Sequence, residues 1–218
     1  MIKISVITKL SLFFMTTIFL SCVQKPEEYA VIDTEEGQIV LKFFPDVAPK
    51  HVESFKILAR DGYFNGTSFH RIVPGFVIQG GDPNSKDGDR YNDGLGGRAG
   101  KYYGIGEKDN PDTWMLPAEF NDRPHRRGTL SMARGSHENS AGSQFFICVG
   151  DQFQLDNKYT VFGEVIEGLD TVDRIVETLT PRKRNPNYER PDGYNPVFGM
   201  FMDITIGTAE ELKLDLSI

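Results

Sequence analysis

Short alternating apolar runs organise this chain. Tyr29 to Thr34, a Glu35-Glu36-Gly37 turn and Gln38 to Phe44 read as a hairpin with Ile39, Leu41 and Phe43 on one face. From Pro49 to about Asp61 the period becomes helical, with Val52, Phe55, Leu58 and Ala59 as the buried stripe and Gly62 as the stop. His51 lies off that stripe and is expected in solvent. Phe69 to Val73 and Phe76 to Ile78 flank Pro74-Gly75, which predicts two strands joined by a tight turn. Alternation puts Phe69, Arg71 and Val73 opposite His70 and Ile72. Past the turn it puts Phe76 and Ile78 opposite Val77 and Gln79. Thr129 to Ala133, Gln144 to Cys148 and Tyr159 to Val165 read as strands, and Gly168 to Thr178 as a helix with Leu169, Val172, Ile175 and Val176 inward. Met200, Met202, Ile204 and Ile206 alternate as a last strand. The pattern predicts a mainly β fold, a closed antiparallel eight-stranded β-barrel with two capping helices.

Two stretches break the pattern. Residues 83–127 are dense in Gly, Asp, Asn and Lys, and residues 179–197 in Pro and charge, so both are expected as surface insertions. Gly94 to Lys101 fails as a phosphate loop, because Leu95 takes a Gly position and Tyr102 the hydroxyl position needed for magnesium. Trp114-Met115-Leu116 is the one apolar cluster there and is expected to pack on the body. His125 stands among Arg123, Arg126 and Arg127 and is expected to be exposed. His137-Glu138 is no zinc motif, since no second His follows at helical spacing.

Composition narrows the function. The 218 residues suffice for one well-buried core, and a net charge of −7 argues against a nucleic-acid partner. Lys3 and Lys9 precede an apolar stretch from Leu10 to Leu20, too short for a membrane span. Its end, Phe19-Leu20-Ser21-Cys22, resembles the lipobox of bacterial lipoproteins. That resemblance implies a signal peptide over 1–21, lipidation of Cys22, a tether over 22–28 and membrane attachment in a bacterial cell envelope, on the periplasmic side or the cell surface. The body would then span 29–206, with a tail over 207–218. Cys22 and Cys148 are the only cysteines, and no disulfide between them is expected.

Arg71 is the most informative residue. An Arg among apolar neighbours has either a carboxylate partner or a task, and these residues alone leave both open. The run Phe69-His70-Arg71, Pro74-Gly75-Phe76 and Gln79-Gly80-Gly81-Asp82 resembles a signature of cyclophilins, the peptidyl-prolyl cis-trans isomerases. Gly128-Thr129-Leu130-Ser131-Met132-Ala133, Gly142-Ser143-Gln144-Phe145-Phe146-Ile147 and Leu155-Asp156 through Val161-Phe162-Gly163 resemble it again, in the family's order.

The resemblance implies prolyl isomerisation of proline-containing polypeptides, with no cofactor and no metal, by a monomer. By position, Arg71 would be the catalytic donor and Gln79 a substrate-orienting amide. Phe76, Val77, Phe146 and Leu155 would form the proline pocket, with Tyr159 at its rim and Ala133 and Arg134 beside the extended peptide. Gln154 and Tyr159 replace a Trp and a His of the eukaryotic pattern, which implies weak cyclosporin binding. Two rivals are a binding module without turnover and a hydrolase built on Ser143 and His137.

Overall fold

The computed structural model describes residues 26–216; the expected signal peptide, Cys22 and most of the expected tether lie outside them. Nine strands make one antiparallel sheet: β1 Glu28–Thr34, β2 Gly37–Phe43, β3 Thr67–Ser68, β4 Arg71–Val73, β5 Val77–Gly80, β6 Thr129–Met132, β7 Phe145–Cys148, β8 Val161–Glu167 and β9 Phe201–Thr208. Their order is β3-β9-β1-β2-β8-β6-β7-β5-β4. The mainly β antiparallel reading holds, as a curled sheet with helices. Eight of the strands are those expected. The ninth, β3, is a two-residue strand that pairs with Phe201 and Met202 of β9. Among the described residues no ladder joins the edge strands β3 and β4. They are consecutive in the chain, and Phe69 and His70 bridge them covalently, so closure there is not by hydrogen bonding.

Helix α1 (Pro49–Arg60) packs against β8 and β9, and α2 (Leu169–Glu177) against β2, β4 and β5. Phe55 of α1 sits among Phe43, Phe64, Phe145 and Phe162, with ring centroids 5.0–5.6 Å away. Such aromatic clusters bury large apolar areas and lock one packing arrangement. Phe69 is a correction to the alternation. It stands at the corner before β4, outside any strand, so its ring turns fully inward, 6.2 Å from Phe145.

His51 is a second correction, being 1% exposed rather than solvated. The N-cap of α1, Ala48, offers no side-chain acceptor. Glu119, distant in sequence, takes that place: its carboxylate accepts from the backbone N–H of Lys50 and of His51, each at 3.1 Å. It also meets His51 Nδ1 at 2.7 Å. A carboxylate at a helix N-terminus satisfies orphan donors and opposes the helix dipole favourably. Burial works against the charge of Glu119, yet the His51 ring and the two backbone donors hold its pKa below the ordinary value.

Nor is the 83–127 segment only surface. Ala99 and Leu116 are fully buried in the core, and Leu116 bridges to Ala141. Trp114 packs against the body as expected, and its indole donates to the Glu107 carbonyl at 3.0 Å. At the other terminus, Leu212, Leu214 and Leu216 fold back over Tyr29, Val31 and Val40 on the outer face of β1 and β2.

Candidate active site

Strand register places the site. One rung crosses four strands: Arg71 of β4 faces Gln79 of β5, Gln79 faces Phe146 of β7, and Phe146 faces Ser131 of β6. The next rung, Ile72, Ile78, Ile147 and Leu130, is fully buried inside. Because side chains alternate with period two, one rung builds the core and its neighbour the outer groove. The intervening loops complete the groove. The Pro74-Gly75 turn presents Phe76, the end of β6 presents Ala133 and Arg134, and a 3-10 turn over Phe153–Leu155 presents Leu155. Phe76 precedes β5, so it shares the groove with Val77 instead of standing opposite it.

These residues enclose a cavity of about 320 Å³, lined by Arg71, Phe76, Val77, Gln79, Ala133, Arg134, Phe146, Leu155 and Tyr159. Every body residue named from the sequence as part of the site lines it. Its floor is a small apolar cluster of Val77, Phe146 and Cys148, separate from the main core. Burial pushes the Cys148 thiol up to about 12, so it behaves as a small hydrophobe.

Arg71 is half-buried and has no carboxylate partner among the described residues. Its Nη1 donates to Gln79 Oε1 at 3.2 Å, and its guanidinium lies 5.6 Å from the Phe76 ring centre. Burial pulls its pKa below the ordinary value. Gln79 in turn donates through Nε2 to Gln144 Oε1 at 2.9 Å, and Gln144 Nε2 donates to the Gly96 carbonyl at 2.7 Å. The fully buried Asp82 fixes that loop by accepting from the backbone of Asn84 at 2.9 Å, of Gly96 at 3.2 Å and of Gly94. This chain sets which end of the Gln79 amide faces Arg71. Gln144 was legible only as a motif letter, although it shares strand parity with Phe146.

Arg134, on the opposite rim, commits four of its five N–H groups to backbone carbonyls. It donates to the carbonyls of Lys158 at 2.9 and 3.0 Å, Gly135 at 2.9 Å and Ser136 at 3.3 Å, and lies 4.8 Å from the Tyr159 ring centre.

His125 corrects the expectation of exposure, since its side chain is fully buried. The ring stacks on Phe146 at 6.0 Å and 18°, while Tyr159 meets the same Phe146 edge-on at 5.7 Å. Its Nδ1 lies 2.9 Å from Asp156 Oδ1 and its Nε2 3.0 Å from Ser131 Oγ. The loop turns this one side chain inward, which the flanking arginines do not signal. Burial holds the His125 pKa below its ordinary value. Burial also opposes the charge of Asp156, but the backbone and ring of His125 bring that carboxyl below its ordinary value.

The hydrolase pairing does not form. Ser143 is buried and donates to the Gly81 carbonyl at 2.6 Å, whereas His137 is exposed and its Nδ1 accepts from the Asn139 N–H. Gln154 does not line the pocket; its amide donates to Gln152.

Residues 29–191 match the family described as Cyclophilin type peptidyl-prolyl cis-trans isomerase/CLD. A probable peptidyl-prolyl cis-trans isomerase of Brucella abortus is 43% identical over 150 residues, covering 69% of this chain and 72% of that one. A peptidyl-prolyl cis-trans isomerase of Synechococcus elongatus is 39% identical over 155 residues, 67% of this chain and 92% of that one. Among solved structures, a Cryptosporidium parvum cyclophilin type isomerase, crystallised in the presence of the dipeptide Ala-Pro, superposes with a TM-score of 0.66 at 29% identity. That likeness covers 83% of this chain and 99% of the other. With signature residues gathered round one groove and these relatives beside it, the chain belongs to the cyclophilin family and is a peptidyl-prolyl cis-trans isomerase.

Proposed function

We propose that the enzyme accelerates X-Pro isomerisation in exported proteins at a bacterial cell envelope, with Arg71 as the catalytic donor. The barrier is amide resonance, about 18–20 kcal/mol, and the uncatalysed step takes tens to hundreds of seconds. No bond breaks. As the amide twists, the proline nitrogen pyramidalises and gains a lone pair, so a donor aimed at it binds the twisted state more strongly than the planar one. Phe76, Val77, Phe146 and Leu155 grip the ring. Gln79, held by Gln144, orients the guanidinium, and Ala133 and Arg134 present backbone to the peptide.

The observation that carries this reading is Arg71 on an apolar wall without a carboxylate partner among the described residues. A half-buried guanidinium with N–H groups to spare suits a substrate acceptor, and its planar fork can serve nitrogen and carbonyl together. The test is the isomerisation rate and denaturant midpoint of wild type, Arg71→Ala and Arg71→Lys. Loss of turnover with an unmoved midpoint, partly restored by Lys, supports the role. Normal turnover in a folded Ala variant sinks it.

The envelope assignment rests on the sequence around Cys22. A buried lipid methylene contributes about 0.8 kcal/mol, so anchoring follows the acyl chains. Cys22→Ser should release the protein from membranes or leave it unprocessed. A processed Ser variant that still fractionates with membranes refutes the anchor.

A further inference from the structure

A second cavity, of about 250 Å³, opens on the far side of Arg71 and Gln79, which line both it and the proline pocket. Its outer wall is built by two segments far apart in sequence. Arg90 Nη2 donates to the Asn195 carbonyl at 2.8 Å and lies 3.6 Å from Asp192. Arg190 Nη1 donates to Tyr91 Oη at 3.0 Å, and Asn195 Nδ2 donates to Asp93 Oδ2. These contacts staple residues 90–93 to 190–195.

Among the described residues, six buried side-chain nitrogen or oxygen atoms have no hydrogen-bond partner. Four belong to residues lining this cavity: Arg90 Nε, Asp93 Oδ1 and both ring nitrogens of His70, the last two near the Ser68 backbone and the Gln144 amide but without hydrogen-bond geometry. His70 is 5% exposed, with its Nε2 toward Gly94 on the cavity wall. Burying such groups unmet is costly, and their concentration in one place points to a ligand.

The chemistry of that ligand follows from the inventory. The charged lining groups are Arg71, Arg90, Asp93 and Asp192, two of each sign, so an added charge finds no net counter-charge. An apolar side chain would leave a donor and an acceptor stranded. Arg90 Nε–H donates, Asp93 Oδ1 accepts, and a neutral imidazole supplies one of each. A carboxamide offers the matching donor and acceptor.

We propose that this cavity is a subsite for the carboxamide side chain of a Gln or Asn that follows the isomerised proline. The proposal rests on the proline site described above. Arg71 and Gln79 line both cavities, so a peptide with its proline in the first can place the side chain of an adjacent residue in the second.

The test uses the full chain and four peptides identical except for Gln, Leu, Glu or Lys after the proline. Dissociation constants and cis-trans exchange rates are read by NMR on the same samples. The Gln peptide should bind about tenfold more tightly than the Leu peptide, the scale of one net hydrogen bond made to a charged group. Arg90→Lys keeps a cation beside Asp192 but removes Nε, and should bring the two peptides within about twofold, as should Asp93→Ala. If Asp93→Ala lowers the denaturant midpoint, Arg90→Lys alone decides. Equal affinities in wild type, tightest binding of the Glu or Lys peptide, or a Gln preference that survives Arg90→Lys would each overturn the subsite. Exchange of the Leu peptide tests the isomerase reading separately, since it can be fast while the Gln preference is absent.

Discussion

The two rims of the groove make a useful contrast. On one, Arg134 spends its guanidinium on three backbone carbonyls, and His125 behind it meets Asp156 and Ser131. On the other, Arg71 donates to one amide, and the nitrogens of neighbouring His70 lie near the Ser68 backbone and the Gln144 amide without a well-formed hydrogen bond. Both rims carry an arginine beside an aromatic ring and a buried histidine. Residue type alone does not separate them. What separates them is how far the protein satisfies its own polar groups: where it does so nearly completely the groups hold structure, and where it does not they are, on the reading proposed above, available to substrate.

The strongest way to break this contrast is to exchange the losses. Arg71→Ala should reduce the isomerisation rate by about 10²–10³, as removal of one preorganised donor does, with little change in denaturant midpoint. If Arg134→Ala reduces the rate as much, the contrast fails. Glu119→Ala should give the largest stability loss, about 2 kcal/mol, because it uncaps α1 and leaves His51 buried without its partner. Turnover per folded molecule, measured beside the denaturation curve, should stay near wild type.

Acidification sharpens the satisfied side further. His125 has a folded pKa below its ordinary 6.5, so below about pH 6.5 the unfolded state takes up a proton that the folded state resists. Stability should begin to fall there. Asp156 and Glu119, with depressed pKa values, contribute stability that is present above their unfolded values and lost as pH falls through the folded ones. The midpoint should therefore be lower at pH 4 than at pH 7, although Asp93, whose pKa burial raises, opposes the fall. A His125→Phe variant should lose part of the slope nearest pH 6.5, the rest coming from His70, whose pKa burial also holds down. A midpoint that rises on acidification contradicts the assignment. The smallest effect belongs to Arg134→Ala. Loss of its bonds between the 134–136 and 158 loops should cost about 1 kcal/mol, read as a shift in thermal or denaturant midpoint.

Local pattern carried most of the architecture. Period-two runs marked eight strands, and the stripe through Val52, Phe55, Leu58 and Ala59 bounded α1 to within a residue. The groove residues were legible because a signature run and strand parity coincide: Gln79 and Phe146 sit on one rung, and so face outward together. Phe69 escaped this logic because parity ends where the strand does.

Histidine environments were not legible at all. His51 is buried because Glu119 reaches it across 68 residues, and His125 because its loop turns in to Asp156 and Phe146. Likewise the meeting of residues 90–93 with 190–195 is a long-range contact that neither segment's composition announces. Periodicity and side chains close in sequence specify eight of the strands, helices α1 and α2 and the residues of the groove. The tertiary structure alone decided which polar groups find partners, because a hydrogen bond depends on atoms brought within about 3 Å. That Arg71 pairs with no carboxylate among the described residues, although Asp93 and Asp192 line the adjoining cavity, is likewise a matter of the fold.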